Sequence, residues 1–184
     1  MAMFSRNAFV LRLITIATTF IVAVTPALAF EVEEIGNIKA NFRGEAIAQP
    51  TVLAKPGGKG SATAYLLLPG AGMSDLNLVG YSRDNKRLSI EVLYMAEQPD
   101  TKTTPMDLTI IYTPKGTKEY WTSEDAQTAG KITFTTLETK GNEGHAAGTF
   151  KALLCYAENH ESGPDSNNCD PIEGSFDTRF FVEK

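Results

Sequence analysis

The tripeptide Gly148-Thr149-Phe150 returns as Gly174-Ser175-Phe176, and the only two cysteines of the chain, Cys155 and Cys169, lie between the copies. No other feature restricts the fold as tightly. If the cysteines stand directly opposite each other in an antiparallel pair, the numbers of paired residues sum to 324, and the rest of the hairpin follows without further choice. Gly148 then faces Phe176 and Phe150 faces Gly174. Each ring lies over a glycine, where no side chain collides and the ring shields bare backbone. Thr149 faces Ser175, and Lys151 faces Glu173 as an opposite-charge pair. Leu153 faces Pro171. If the cysteines form a non-hydrogen-bonded pair, this pair does too, and proline's missing N–H removes no bond between the strands. The inner face is expected to carry Phe150, Ala152, Leu154, Ile172, Phe176, Phe180 and Val182, with Lys151 and Glu173 on the cysteine face. A disulfide closing a loop of this length stabilises by about 3 kcal/mol in the chain-entropy description. A slip of one residue would invert both faces together.

Upstream of this hairpin, period-two alternation dominates and no segment keeps a helical period for three turns. Ile38, Ala40 and Phe42 alternate with polar neighbours, and "QPTVLAKPGGKG" (49–60) reads as a loop. Ala62 to Leu68 reads as a strand ending at Pro69-Gly70. Leu76 and Leu78 form another, closed by the hairpin-turn composition "SRDNK". Leu88, Ile90, Val92 and Tyr94 alternate cleanly with Ser89, Glu91 and Leu93. A loop at 96–105 precedes a strand over Met106 to Tyr112, Tyr120-Trp121 opens a short strand, and Ile132 and Phe134 lie in "KITFTTLET". Only "SEDAQ" (123–127) suggests a helical turn. Seven to nine short strands with turns every 8–12 residues predict a single all-β domain, an antiparallel β-sandwich or flattened barrel.

The first 29 residues read as a cleaved signal peptide: Arg6 and Arg12, an apolar run from Leu13 to Val24, Pro26, then the small-x-small pattern Ala27-Leu28-Ala29. The apolar run is shorter than the roughly 20 residues a membrane span needs. No cysteine stands immediately after the cleavage point, so neither a lipid nor a stable membrane anchor is expected. The domain is then 30–184, and its two cysteines read as a disulfide formed in the periplasm or outside the cell. Removing Arg6 and Arg12 leaves 15 cations against 22 acids, a net charge of −7. A domain of that sign repels nucleic acid and anionic lipid at long range, so neither is an expected partner.

Candidate sites are few. The stretch "AENHESGPDSNNCD" (157–170) places Glu158, Glu161, Asp165 and Asp170 at a polar hairpin tip. It fails the EF-hand pattern at the fifth and sixth places of Asp165 to Asp170, so a solvated tip is expected, not a calcium loop. His145 and His160 are 15 apart, without zinc-ligand spacing. Gly72-Met73-Ser74-Asp75-Leu76 lacks the last glycine of a nucleophile elbow, which leaves Ser74 as a turn residue. "PGGKGSA" does not complete a phosphate loop. Glu173 and Asp177 share a strand face about 13 Å apart, beyond the roughly 5–9.5 Å of glycosidase carboxylate pairs. Tyr112, Tyr120 and Trp121 suit either an aromatic platform for a sugar or peptide or, as usual for a lone tryptophan in such folds, the core. No metal or cofactor is expected.

The ending "AAGTFKALLCY…IEGSFDTRFFVEK", with "NKRLSIEVLYM" and "GKITFTTLE" before it, resembles exported bacterial β-sandwich domains of uncharacterised function that finish in a G-T-F and a G-[SR]-F strand. The resemblance implies an antiparallel sandwich and carries over no catalytic residue. Together these readings predict a non-catalytic periplasmic or secreted domain that binds an envelope component, a protein or a small ligand. A hydrolase of envelope polymers, and an inhibitor of a secreted enzyme acting through 157–170, are the alternatives.

Overall fold

The computed structural model describes residues 31–55, 60–114, 116, 119–159, 161 and 163–183. The signal peptide expected over 1–29 lies outside them, as do His160 and most of "PGGKGSA". Among the described residues, no helix is long and apolar enough to cross a membrane.

The structure is all-β, with eleven strands in one sheet: β1 (Glu31–Phe42), β2 (Glu45–Lys55), β3 (Ser61–Ala62), β4 (Ala64–Gly70), β5 (Met73–Tyr81), β6 (Arg87–Tyr94), β7 (Asp107–Thr113), β8 (Tyr120–Thr122), β9 (Lys131–Lys140), β10 (Glu143–Ala157) and β11 (Asp165–Glu183). Strand pairing runs β3-β2-β1-β11-β4-β5-β6-β7-β8-β10-β9, and β10 also pairs with β11. The pairings therefore return on themselves through β11, β4, β5, β6, β7, β8 and β10. Two long strands make this possible. β10 has 15 residues and takes β9 as neighbour over its first part and β8 at Cys155–Ala157. β11 has 19 and takes β1 along Ile172–Thr178, then β4 at Phe181–Glu183. The last pairing is parallel, against the all-antiparallel expectation, and the count of strands exceeds seven to nine.

The β10–β11 register is the one that the repeat encodes. Cys155 faces Cys169 and the two are disulfide-bonded. Gly148 faces Phe176, Phe150 faces Gly174, Thr149 faces Ser175, Lys151 faces Glu173 and Leu153 faces Pro171. A Cβ added to Gly174 would sit 2.6 Å from the Phe150 ring and 2.2 Å from the Lys39 carbonyl oxygen; at Gly148 it would sit 2.9 Å from the Phe176 ring. A third pair, Gly144 opposite Phe180, repeats the arrangement without a tripeptide to announce it. Of the expected inner face, Phe150, Leu154, Ile172, Phe176 and Phe180 are buried, while Ala152 and Val182 are half-buried.

Elsewhere Leu88, Ile90, Val92 and Tyr94 of β6 are fully buried, facing Leu76 and Leu78 of β5 and Phe134 of β9. Three expectations are corrected. Residues 49–55 are the second half of β2 and not a loop. Pro50 is tolerated because β2 has a partner on only one side there, β3 reaching no further than Leu53 and Ala54. Ala62 to Leu68 is split at Thr63, whose backbone bridges β2 and β5: its N–H donates to Val52 O and its carbonyl accepts from Val79 N–H, both at 2.8 Å. "SEDAQ" is a turn and not helical. The Ser123 hydroxyl oxygen accepts from Ile110 N–H (2.8 Å), the Ser123 N–H donates back to Ile110 O (2.9 Å), and Asp125 has φ +55°, which a right-handed helix excludes.

Candidate functional site

The turn that joins β1 to β2 is Arg43-Gly44, with φ of +54° and +79°. Two positive values define the type I′ hairpin turn, where Asn-Gly is the usual pair. An arginine in the left-handed region costs on the order of 1 kcal/mol. Its side chain has defined contacts in return: the guanidinium lies 5.0 Å from the Trp121 ring centre, and Nε is 3.2 Å from Asp170 Oδ2. The next cations come from the strands alongside. Lys151 of β10 stands opposite both Lys131 of β9 and Glu173 of β11. It reaches the Glu173 carboxylate at 3.3 Å, whereas Lys131 has no carboxylate within 4.0 Å among the described residues.

Residues 123–131 cross the end of the fold between β7 and β10. Gly130 makes the passage possible, since a Cβ there would lie 3.0 Å from Leu108 and 3.5 Å from Ala152. The segment divides two clefts that share Ala129 and Lys131. One, about 620 Å³, lies against β10, β11 and the Arg43-Gly44 turn, with Ala152, Leu153 and Pro171 among its walls. The other, about 590 Å³, lies against β7 and carries the carboxyls of Asp107, Glu124 and Asp125. Both fall in the size range of small-molecule sites. The first holds three cations and two acids, the second three acids and the shared lysine.

The residues singled out from sequence are dispersed. Asp170 lines the first cleft, held by Arg43. Glu158, Glu161 and Asp165 are exposed beyond it. The polar tip is shorter than expected because β11 already begins at Asp165, whose carboxylate accepts from Asn167 N–H at 2.9 Å. Tyr112, Tyr120 and Trp121 are buried, so they offer no platform. Phe42 packs edge-on against Tyr112 and Trp121, and Trp121 against Tyr156. Burial, followed by the nearby Glu45 carboxylate, raises the Tyr112 phenol above its ordinary value. Ser74 lies within β5, not in a turn, fully buried, its hydroxyl donating to Ala96 O at 2.6 Å. Glu173 and Asp177 each have their own partner, the Lys151 ammonium and the His145 ring nitrogen. No group of three or more His, Cys, Asp or Glu side chains able to hold a metal occurs among the described residues.

Sequence reading missed Arg43, Lys131 and the 123–131 crossing. The one local signal was an Arg-Gly dipeptide after an alternating strand. Among the described residues one carboxyl is raised: Glu91, on the outer side of β6, is pushed above the usual carboxylate range by burial first and by the neighbouring Asp75 charge second. Comparison of the chain with family profiles, with curated proteins and with solved structures found no match.

Proposed function

We propose that this protein is a non-catalytic exported domain, a flattened β-barrel or sandwich of the kind its C-terminal strands resemble, that binds a small ligand in the clefts on either side of residues 123–131. The observation that carries the reading is the pair of ligand-sized clefts meeting at Lys131, one lined by more cations than acids and the other acidic. Small-molecule sites combine such concavity with a few placed polar groups. The disulfide suits an oxidising compartment, and cleavage after Ala29 would deliver the domain to the periplasm or the medium. N-terminal sequencing of the exported protein is expected to begin at Phe30. A start at Met1 would defeat the export reading. For binding, amide shifts are followed while a panel of small charged and apolar compounds is titrated into the protein. Saturable shifts are expected within 128–132, 151–153 and 171–173. A panel that moves none of these amides, or moves only others, overturns the assignment.

One observation favours a hydrolase as second reading: the raised carboxyl of Glu91 with Asp75 on the next strand, diagonal to it through the Asn77–Glu91 and Asp75–Leu93 pairs. A raised acid beside a second carboxyl is an acid–base arrangement. Turnover of an envelope polymer that is lost in both Glu91→Gln and Asp75→Asn would establish that reading over the first.

A further inference from the structure

We propose that the cleft formed by Arg43, Lys131 and Lys151 takes an anionic amphiphile, a carboxylate carried on a short apolar body. The inference rests on the reading of this cleft as a ligand site and names the class of ligand.

The first ground is the register. Lys131 and Lys151 are directly opposed on neighbouring strands. Like charges so placed are about 5 Å apart at Cβ and destabilise the pair. Glu173 answers Lys151, and Asp170 answers Arg43. Lys131 is left over, with Lys151 across from it. A carboxylate seated between the two ammonium groups would accept from both and remove the repulsion. The second ground is the contrast with the chain as a whole, whose net charge is −5. A cleft with an excess cation reverses that sign locally, so it admits a single small anion while the whole molecule still repels a polyanion.

The third ground gives the orientation. On the far side of Lys131 stand Asp107, Glu124 and Asp125, which repel a carboxylate from the β7 cleft. On the near side, Leu153 and Pro171 line the wall beside Lys151. The charged head therefore sits at Lys131 and Lys151, and the apolar body runs along Leu153 and Pro171.

The test uses the whole exported protein and three probes of one length: octanoate, octanol and octylammonium. Amide shifts and calorimetry are followed for each. Octanoate is expected to move the amides of Lys131, Lys151 and Leu153 saturably, with octanol about ten-fold weaker, the factor that one charge-assisted hydrogen bond supplies. Octylammonium is expected to leave these amides unmoved. Lys131→Gln should weaken octanoate about ten-fold and leave octanol unchanged, while Lys131→Arg retains octanoate binding. Equal binding of octanoate and octanol, or octanoate binding indifferent to Lys131→Gln, overturns the anion assignment and leaves the cleft as a ligand site. Failure of all three probes also overturns it, and the broader panel titration then decides the ligand-site reading separately.

Discussion

The two faces of the β10–β11 hairpin are held by different physics. On the inner face, three phenylalanine rings lie over three glycines, Phe180 on Gly144, Phe176 on Gly148 and Phe150 on Gly174, with backbone from β9 closing in behind the first two and from β1 behind the third. On the outer face, Lys151 meets Glu173, both well exposed, and the half-buried His145 meets the exposed Asp177. The inner contacts involve backbone atoms that have nowhere to move, so they fix the register. These outer polar pairs are solvated and contribute little to stability. That difference frees the outer face: its charges can be arranged for a ligand without weakening the hairpin.

The sharpest way to break the contrast is to put a side chain on an inner glycine. Gly174→Val drives Cβ to within 2.2 Å of the Lys39 carbonyl oxygen. We expect a loss of about 3 kcal/mol or more, read as a fall in Tm of roughly 6–12 °C for a domain of this size. Next in size is the covalent link. Cys155→Ala with Cys169→Ala should lower urea-derived stability by about 3 kcal/mol, and reductant added to the native protein should give a comparable loss that the double variant does not show.

Smaller effects sharpen the comparison. Gln49 of β2 is fully buried on the inner side against Gly80, yet neither its amide nitrogen nor its amide oxygen has a hydrogen-bond partner among the described residues. Gln49→Met removes an unpaired polar group at similar volume, so chemical denaturation should show a gain of about 1 kcal/mol. A double-mutant cycle on Lys151 and Glu173 should return a coupling of about 0.5 kcal/mol or less, against several times that for any pair on the inner face. Glu91 sets the pH test. Its folded carboxyl titrates above the unfolded value, so the protonated acid is the better-tolerated form. Stability from this group is full below the unfolded pKa and lost as pH rises through the folded one. Glu91→Gln should thus gain about 0.5 kcal/mol at neutral pH, shrinking towards zero in acid, measured by denaturation across pH.

The sequence made the β10–β11 register legible because a covalent pair supplied one fixed point and each glycine had one ring to answer it. The inner face of β6 was legible by strict alternation. Phe180 was legible as an inner-face residue, but its pairing with Gly144 escaped because Phe181 follows directly and no tripeptide repeats. β2 escaped because Pro50 and Gly57-Gly58 suggest a loop, while the reason Pro50 is harmless, a missing neighbour on one side, exists only in the assembled sheet. Of the charges in the cleft, Lys151 opposite Glu173 and the acid Asp170 could be picked out. Arg43 and Lys131 enter it through contacts between strands far apart in the chain, which no local pattern records.

The most direct test is a nuclear Overhauser spectrum of the exported protein. Ring protons of Phe150, Phe176 and Phe180 should correlate with the α-protons of Gly174, Gly148 and Gly144 respectively, and those glycine α-protons should be shifted upfield by the rings above them. Correlations displaced to the neighbouring residues 147, 149, 173 or 175, or glycine α-protons at ordinary shifts, would contradict the register on which the fold is built.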